Sequence, residues 1–176
     1  MKLMENKERN ILISAEEIQD KVKIVGAQIT EDYKGKKLYV LSLLRGSFIF
    51  TADLVRAIDL DTTIGFMTTS SYGHSETSNG SCKVVNDVPD NIEGYDVLIV
   101  DDIIDTGITM EFVVEYVKAK GANSVKTCTL LDKPSRRKVD ITADYCCFEI
   151  EDVFVVGYGL NYGDFYRNIP YVFNWK

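Results

Sequence analysis

The run Val-Leu-Ile-Val-Asp-Asp-Ile-Ile-Asp-Thr-Gly-Ile-Thr at 97–109 concentrates the groups in this chain that are best suited to chemistry. Four branched apolar residues predict a buried strand that ends on Asp101 and Asp102. Asp105-Thr106-Gly107-Ile108-Thr109 then turns into a helix. Carboxylates at a strand end can hold a divalent cation, and a glycine-containing turn into a helix N-terminus offers amides to a phosphate. A nucleotide-triphosphate P-loop is glycine-rich and ends in Lys-Ser/Thr. This segment has one glycine and no lysine. It reads as a different phosphate cradle, with acids built in beside it.

The elements around this run must position it. Ser14 and Glu17 form a capping-box pattern, with Ile13 able to staple onto Ile18. Ile18, Val22, Val25 and Ile29 then share one face of a helix that ends near Gly35. Residues 37–44 predict a strand buried on both faces. Arg45-Gly46-Ser47 is a turn, with Ser47 as a cap for a helix carrying Phe48, Leu54, Val55 and Ile58. Residues 62–69 alternate Ile64 and Phe66 with polar neighbours, which predicts another strand. Residues 70–81 are rich in Ser, Thr, Gly, Asn and Glu and contain the only histidine, His74, which is expected to be exposed and uninvolved. That stretch cannot bury enough apolar area to order itself, so it is a surface loop or a closing lid. Phe112, Val113, Tyr116 and Val117 give a helical stripe closed by Gly121. A strand over 124–131 runs into Asp132-Lys133-Pro134. Short apolar runs at 145–150 and 153–156, the second read as a strand through Phe154, precede an aromatic-rich segment at 157–168.

Strand and helix alternating at this spacing predict an α/β fold, with a central, mostly parallel sheet and helices on both faces. The terminal segments are expected to form a small cap. Residues 1–176 read as a single domain, long enough to bury roughly 70% of the unfolded surface. In such a sheet, ligands bind beyond the carboxyl ends of the strands. Arg45-Gly46, Ser71-Tyr72, Asp101-Asp102 with the turn after them, Lys133, and the 161–167 segment all fall at such ends. Each has a plain structural reading alone: solvated acids, a surface arginine, a loop-breaking Lys-Pro, aromatic core packing. Their convergence on one rim is what argues for a site.

The formal charge of −7 makes nucleic acid an unfavourable main partner. No apolar run is long enough to span a membrane, and the polar N-terminus lacks a signal-peptide core. The four cysteines show no Cys-x-x-Cys spacing and read as free thiols of a cytoplasmic protein.

Residues 97–109 closely resemble the 5-phosphoribosyl 1-pyrophosphate (PRPP) signature of type I phosphoribosyltransferases. Within that family, Leu-Leu-Arg-Gly-Ser-Phe at 43–48, Ser-Ser-Tyr-Gly at 70–73, Leu-Leu-Asp-Lys at 130–133, Phe-Val-Val-Gly-Tyr at 154–158 and the 160–167 segment resemble the hypoxanthine-guanine enzymes. The similarity covers nearly the whole chain in order and spacing. It implies a purine-salvage enzyme that moves phosphoribosyl from PRPP to N9 of hypoxanthine or guanine, giving IMP or GMP.

By resemblance, Asp101 and Asp102 bind the ribose hydroxyls directly or through Mg²⁺. Ile104, Thr106, Gly107, Ile108 and Thr109 belong to the PRPP and phosphate site. Asp105 matches the general base at purine N7. Lys133 donates to purine O6, Phe154 stacks on the ring, and the Val155 backbone meets the Watson–Crick edge. Arg45, Gly46 and Arg167 contact pyrophosphate, and relatives often have a cis peptide before that glycine. Ser71 and Tyr72 match a loop that closes over the reacting centre. Asn161 stands where relatives usually carry a metal-binding Asp, so weaker metal affinity is expected. The resemblance also implies a homodimer or homotetramer.

Three alternatives bear on this reading. A receiver-type signalling domain needs a further aspartate on a strand between the acid pair and the lysine, and there is no room for one. A non-catalytic regulator on the same fold fits poorly with the acidic balance and an intact Asp105 and Lys133. A xanthine-preferring sister enzyme shares the O6 contact.

Overall fold

The computed structural model describes residues 8–71, 82–88 and 91–176. Strand β1 (Arg9–Ile13) leads into helix α1 (Ala15–Asp32). The expected capping box is present: Ser14 accepts from the Glu17 amide, and the Glu17 carboxylate accepts from the Ser14 amide at 2.8 Å. Ile18, Val22, Val25 and Ile29 are all buried, and each contributes roughly 1.5–3 kcal/mol by leaving water. Gly26 lets α1 lie directly on α2 (Phe48–Ala57), since a Cβ there would fall 2.6 Å from Ala57.

Strand β2 (Leu38–Leu44) is buried on both faces, as its unbroken apolar run requires of a central strand. Leu38 and Val40 pack with α1 and α2, while Tyr39, Leu41 and Leu43 pack with α3 (Ile108–Ala119). The sheet also contains β3 (Thr62–Ser71), β4 (Cys82–Asn86), β5 (Asp96–Ile104), β6 (Ser124–Asp132) and β7 (Tyr145–Glu149), in the order β4-β3-β2-β5-β6-β7. All neighbours are parallel except the β3–β4 pair, so the sheet is mostly parallel with an antiparallel edge. The loops after β2, β5, β6 and β7 therefore open on one rim. Beside this sheet, β1 pairs antiparallel with β8 (Val172–Trp175), joining the two ends of the chain into the expected cap.

Three local expectations change. Ser47 precedes α2, but it is in the right-handed region and makes no capping bond. Its hydroxyl instead donates to the Leu43 carbonyl and meets Ser42 Oγ, tying the turn to β2. The strand expected over 62–69 is β3, but the apolar side of its alternation, Ile64 and Phe66, is exposed, because α2 packs chiefly on β2 and β5 and leaves that side of β3 open. The 153–156 run is not a strand. Only Val156 pairs, with Phe173, while the Val153 carbonyl is taken by Lys133.

No helix among the described residues is long and apolar enough to cross a membrane.

Candidate active site

The turn expected to cradle a phosphate lies at the junction of β5 and α3. Gly107 occupies the N-cap position with φ +84°, in the left-handed region that favours glycine. Space enforces the choice as well: a Cβ at 107 would come within 2.9 Å of Ile141, Arg137 and Val139 side chains. The helix has no side-chain cap, so its first amides are left for a ligand. Asp101, Ile104, Asp105, Thr106, Gly107 and Thr109 line one small cleft here. Ile108 opens the helix.

Asp101 lines this cleft, and Asp102 follows it in β5. The Asp102 amide donates to Asp101 Oδ1 at 3.0 Å, and the Ile103 amide donates to Asp102 Oδ1 at 3.1 Å. Burial, and then the charge of Asp102, pushes the Asp101 carboxyl well above the ordinary carboxylate range. Burial raises Asp102 too, opposed by hydrogen bonds from its surroundings and by the charge of Arg167. Two acids crowded in this way favour a cation between or beside them.

A second cleft opens where β2 ends. Arg45, Phe48, Asn161, Asp164 and Arg167 line it. The Leu44–Arg45 peptide is cis, as the resemblance implies. Gly46 lies against Asp102 on one side and the Gly159 turn on the other, where a Cβ at 159 would fall 2.0 Å from the Gly46 carbonyl. Arg167 donates to the Gly159 carbonyl at 2.6 Å and holds that turn. Asn161 thus belongs to the arginine-lined cleft, and its amide donates to the Gly163 carbonyl.

Lys133 follows β6. Its backbone amide donates to the Ile104 carbonyl at 2.9 Å, next to Asp105. Its buried ammonium donates to the Val153 carbonyl at 2.6 Å. Phe154, the next residue, is 59% exposed and stands in a T-shaped pair with Tyr162 at 6.0 Å between centroids, which leaves much of its ring surface accessible. Val155 is buried. Ser71 ends β3, and Tyr72 and His74 lie outside the described residues.

Sequence reasoning missed the arginines that join these parts. Arg136 bridges the Asp105 carboxylate at 3.1 Å and Asp152 at 3.5 Å, and Asp152 lies 3.8 Å from the Lys133 ammonium. The available signal was an Arg-Arg pair directly after the Lys133-Pro134 strand end. All four cysteines are free, and burial pushes Cys146 to about 11 and Cys147 to about 12, which leaves them poor nucleophiles.

A mostly parallel sheet whose carboxyl rim carries a glycine turn into a helix, a half-buried acid pair and two arginines places this protein among the α/β folds with a site at the strand ends. The family model for the phosphoribosyl transferase domain matches residues 14–163. The chain is 46% identical over 170 residues to the hypoxanthine-guanine phosphoribosyltransferase of Bacillus subtilis (strain 168), covering 97% of this chain and 94% of that protein. Its structure is similar to a Staphylococcus aureus hypoxanthine phosphoribosyltransferase (TM-score 0.93, 43% identity, 99% and 95% of the two chains). It is also similar to the Trypanosoma cruzi hypoxanthine phosphoribosyltransferase in a ternary substrates complex (TM-score 0.90, 40% identity, 98% and 97%). The chain belongs to the phosphoribosyltransferase family, in its hypoxanthine-guanine branch.

Proposed function

We propose that residues 1–176 act as one phosphoribosyltransferase domain that transfers 5-phosphoribosyl from PRPP to N9 of hypoxanthine or guanine, releasing pyrophosphate. One observation carries the substrate assignment: the Lys133 amide is bonded to the Ile104 carbonyl at 2.9 Å, which links a carbonyl-seeking ammonium to the turn that carries Asp105.

In this reading the 5′-phosphate sits on the amides of the 105–109 turn, helped by the Thr106 and Thr109 hydroxyls. The α3 N-terminus adds roughly 0.3–1 kcal/mol. Arg45, the Gly46 backbone and Arg167 neutralise the leaving pyrophosphate, the charge that grows as the C1 bond breaks. Phe154 and Val155 hold the purine in line. Asp105 faces purine N7 and exchanges a proton there as N9 bonds to C1. Lys133 donates to O6; a 6-amino group cannot accept that bond and would leave a buried ammonium short of a partner. Ser71, at the end of β3, and Tyr72 are assigned to covering the reacting centre, which would limit hydrolysis of PRPP by water.

Among the described residues no cluster of three or more His, Cys, Asp and Glu side chains could hold a metal by itself. Mg²⁺ rarely needs one: it takes one or two carboxylates and fills its shell with waters and substrate oxygens. Asp101 and Asp102 fit that pattern, with Asn161 offering a neutral oxygen in the second cleft. When bound, Mg²⁺ would offset the negative charge of the leaving pyrophosphate. The protein is expected to work in the cytoplasm as a homodimer or homotetramer; exposed Ile64, Phe66 and Val85 are apolar surface that association would cover.

The deciding assay incubates the protein with PRPP, Mg²⁺ and, separately, hypoxanthine, guanine, xanthine, adenine or uracil. Formation of IMP or GMP is expected. No product with hypoxanthine or guanine would overturn the proposal.

A further inference from the structure

The arginine after Arg136 turns the other way. Arg137 does not reach the Asp105 side chain; it reaches the backbone behind it. Its Nη1 donates to the Asp105 carbonyl at 2.7 Å and to the Ile104 carbonyl at 3.3 Å, while Nη2 is paired with the Asp132 carboxylate. Both side chains of that pair are largely buried, at 14% and 11% exposure. Two backbone amides extend the pattern. Lys133 donates to the Ile104 carbonyl and Lys138 to the Thr106 carbonyl, each at 2.9 Å.

Three successive carbonyls, those of 104, 105 and 106, are therefore all drawn to the 133–138 segment. In a trans peptide the C=O of one residue and the N–H of the next point in opposite directions. Holding these carbonyls back turns the amides of Asp105, Thr106 and Gly107 away from the brace and toward the cleft. The Arg137 stem also packs where a Gly107 Cβ would lie, 2.8 Å from Cδ, so it supports the turn from behind by contact as well.

We propose that Arg137 is a positioning residue for 5′-phosphate recognition, acting through the backbone of the phosphate turn without touching the ligand. The proposal rests on the reading that the 105–109 turn binds the 5′-phosphate. An arginine suits the role because one planar fork serves both carbonyls and the Asp132 carboxylate at once, which a lysine ammonium cannot do with the same geometry.

The test compares two ligands that share purine and ribose and differ only in the 5′-phosphate: IMP and inosine. Each is titrated calorimetrically into the wild-type protein, Arg137→Met and Arg137→Lys, with thermal unfolding of each run in parallel. Wild-type protein is expected to prefer IMP. Arg137→Met should weaken IMP about tenfold or more, the scale of lost charge-assisted hydrogen bonds, and leave inosine unchanged. Arg137→Lys should restore part of the loss. In the transfer assay, KM for PRPP should rise more than kcat falls. Equal losses for IMP and inosine, or IMP binding like wild type, would overturn the proposal. Should the Met variant not fold, the Lys variant supports the same comparison, a selective loss for IMP being expected. A wild-type protein that binds IMP and inosine alike would sink the phosphate-site reading itself, and this proposal with it.

Discussion

Gly46 lies so close to Asp102 that a Cβ at 46 would sit 1.7 Å from Asp102 Oδ2. The turn after β2 and the acid pair at the end of β5 thus pack directly on one another. Gly46→Ala must push the turn or rotate the carboxylate. Its kcat/KM for PRPP is expected to fall at least about a hundredfold, the scale of a misplaced catalytic geometry. Steady-state kinetics at saturating hypoxanthine checks this. A loss under about threefold would mean that the contact relaxes freely.

Asp105→Asn keeps the size and an acceptor oxygen but removes the charge. We expect kcat to drop by about 10²–10⁴, the usual worth of a positioned general base, with PRPP binding changed far less. The Arg136 guanidinium, 3.1 Å from the carboxylate, loses its ionic partner in this variant. Pre-steady-state measurement of the chemical step separates the two effects. A near-normal rate would remove Asp105 from the mechanism.

Lys133→Gln retains a donor but shortens it and discharges it. The ratio of hypoxanthine to adenine turnover should narrow by about tenfold or more, while KM for PRPP changes little. If turnover with hypoxanthine and affinity for PRPP decline together, the lysine is holding the loop and not reading the base.

Asp101 carries a testable sign. Burial and the neighbouring Asp102 raise its folded-state pKa, so the folded protein binds the proton more tightly than the unfolded chain. That contribution is neutral at pH values below the ordinary carboxylate range and becomes increasingly unfavourable as pH rises through the raised value. Without divalent metal, Asp101→Asn should therefore raise the unfolding midpoint at about pH 8 and lose the advantage as pH falls toward about 4. Added Mg²⁺ should narrow the gap while activity stays low. Calorimetry with and without a chelator would refute this if the variant were less stable at pH 8.

Asn161 gives a gain-of-affinity prediction. Asn161→Asp adds a carboxylate to the Arg45–Arg167 cleft. The Mg²⁺ concentration for half-maximal rate should fall about threefold or more, because hard cations favour anionic oxygen. An unchanged Mg²⁺ requirement would show that position 161 does not face the metal.

Periodicity made the framework legible: the stripe Ile18-Val22-Val25-Ile29, the doubly buried β2 and the 97–104 strand depend only on which residues leave water. The Asp105-to-Thr109 turn was legible because glycine and a helix start are local facts. Strand β4 went unread because an edge strand buries little, and its Cys-Lys-Val-Val-Asn run has no clear alternation. Ile64 and Phe66 mark the limit of pattern within a strand that was legible. Their alternation is real, but whether a helix covers them depends on where α2 comes to rest.

By itself, then, the chain's residue order determined the sheet, its helices, the phosphate turn and the acids beside it, since each follows from short-range patterning. Tertiary structure alone decided three things: that Gly46 abuts Asp102, that Lys133 spends its ammonium on Val153, and that Arg136 and Arg137 grip opposite sides of the Asp105 turn. Contacts of this kind join residues some 20 to 60 positions apart, and no local pattern records them. They exist only once parallel strands have brought separate loops to a common rim.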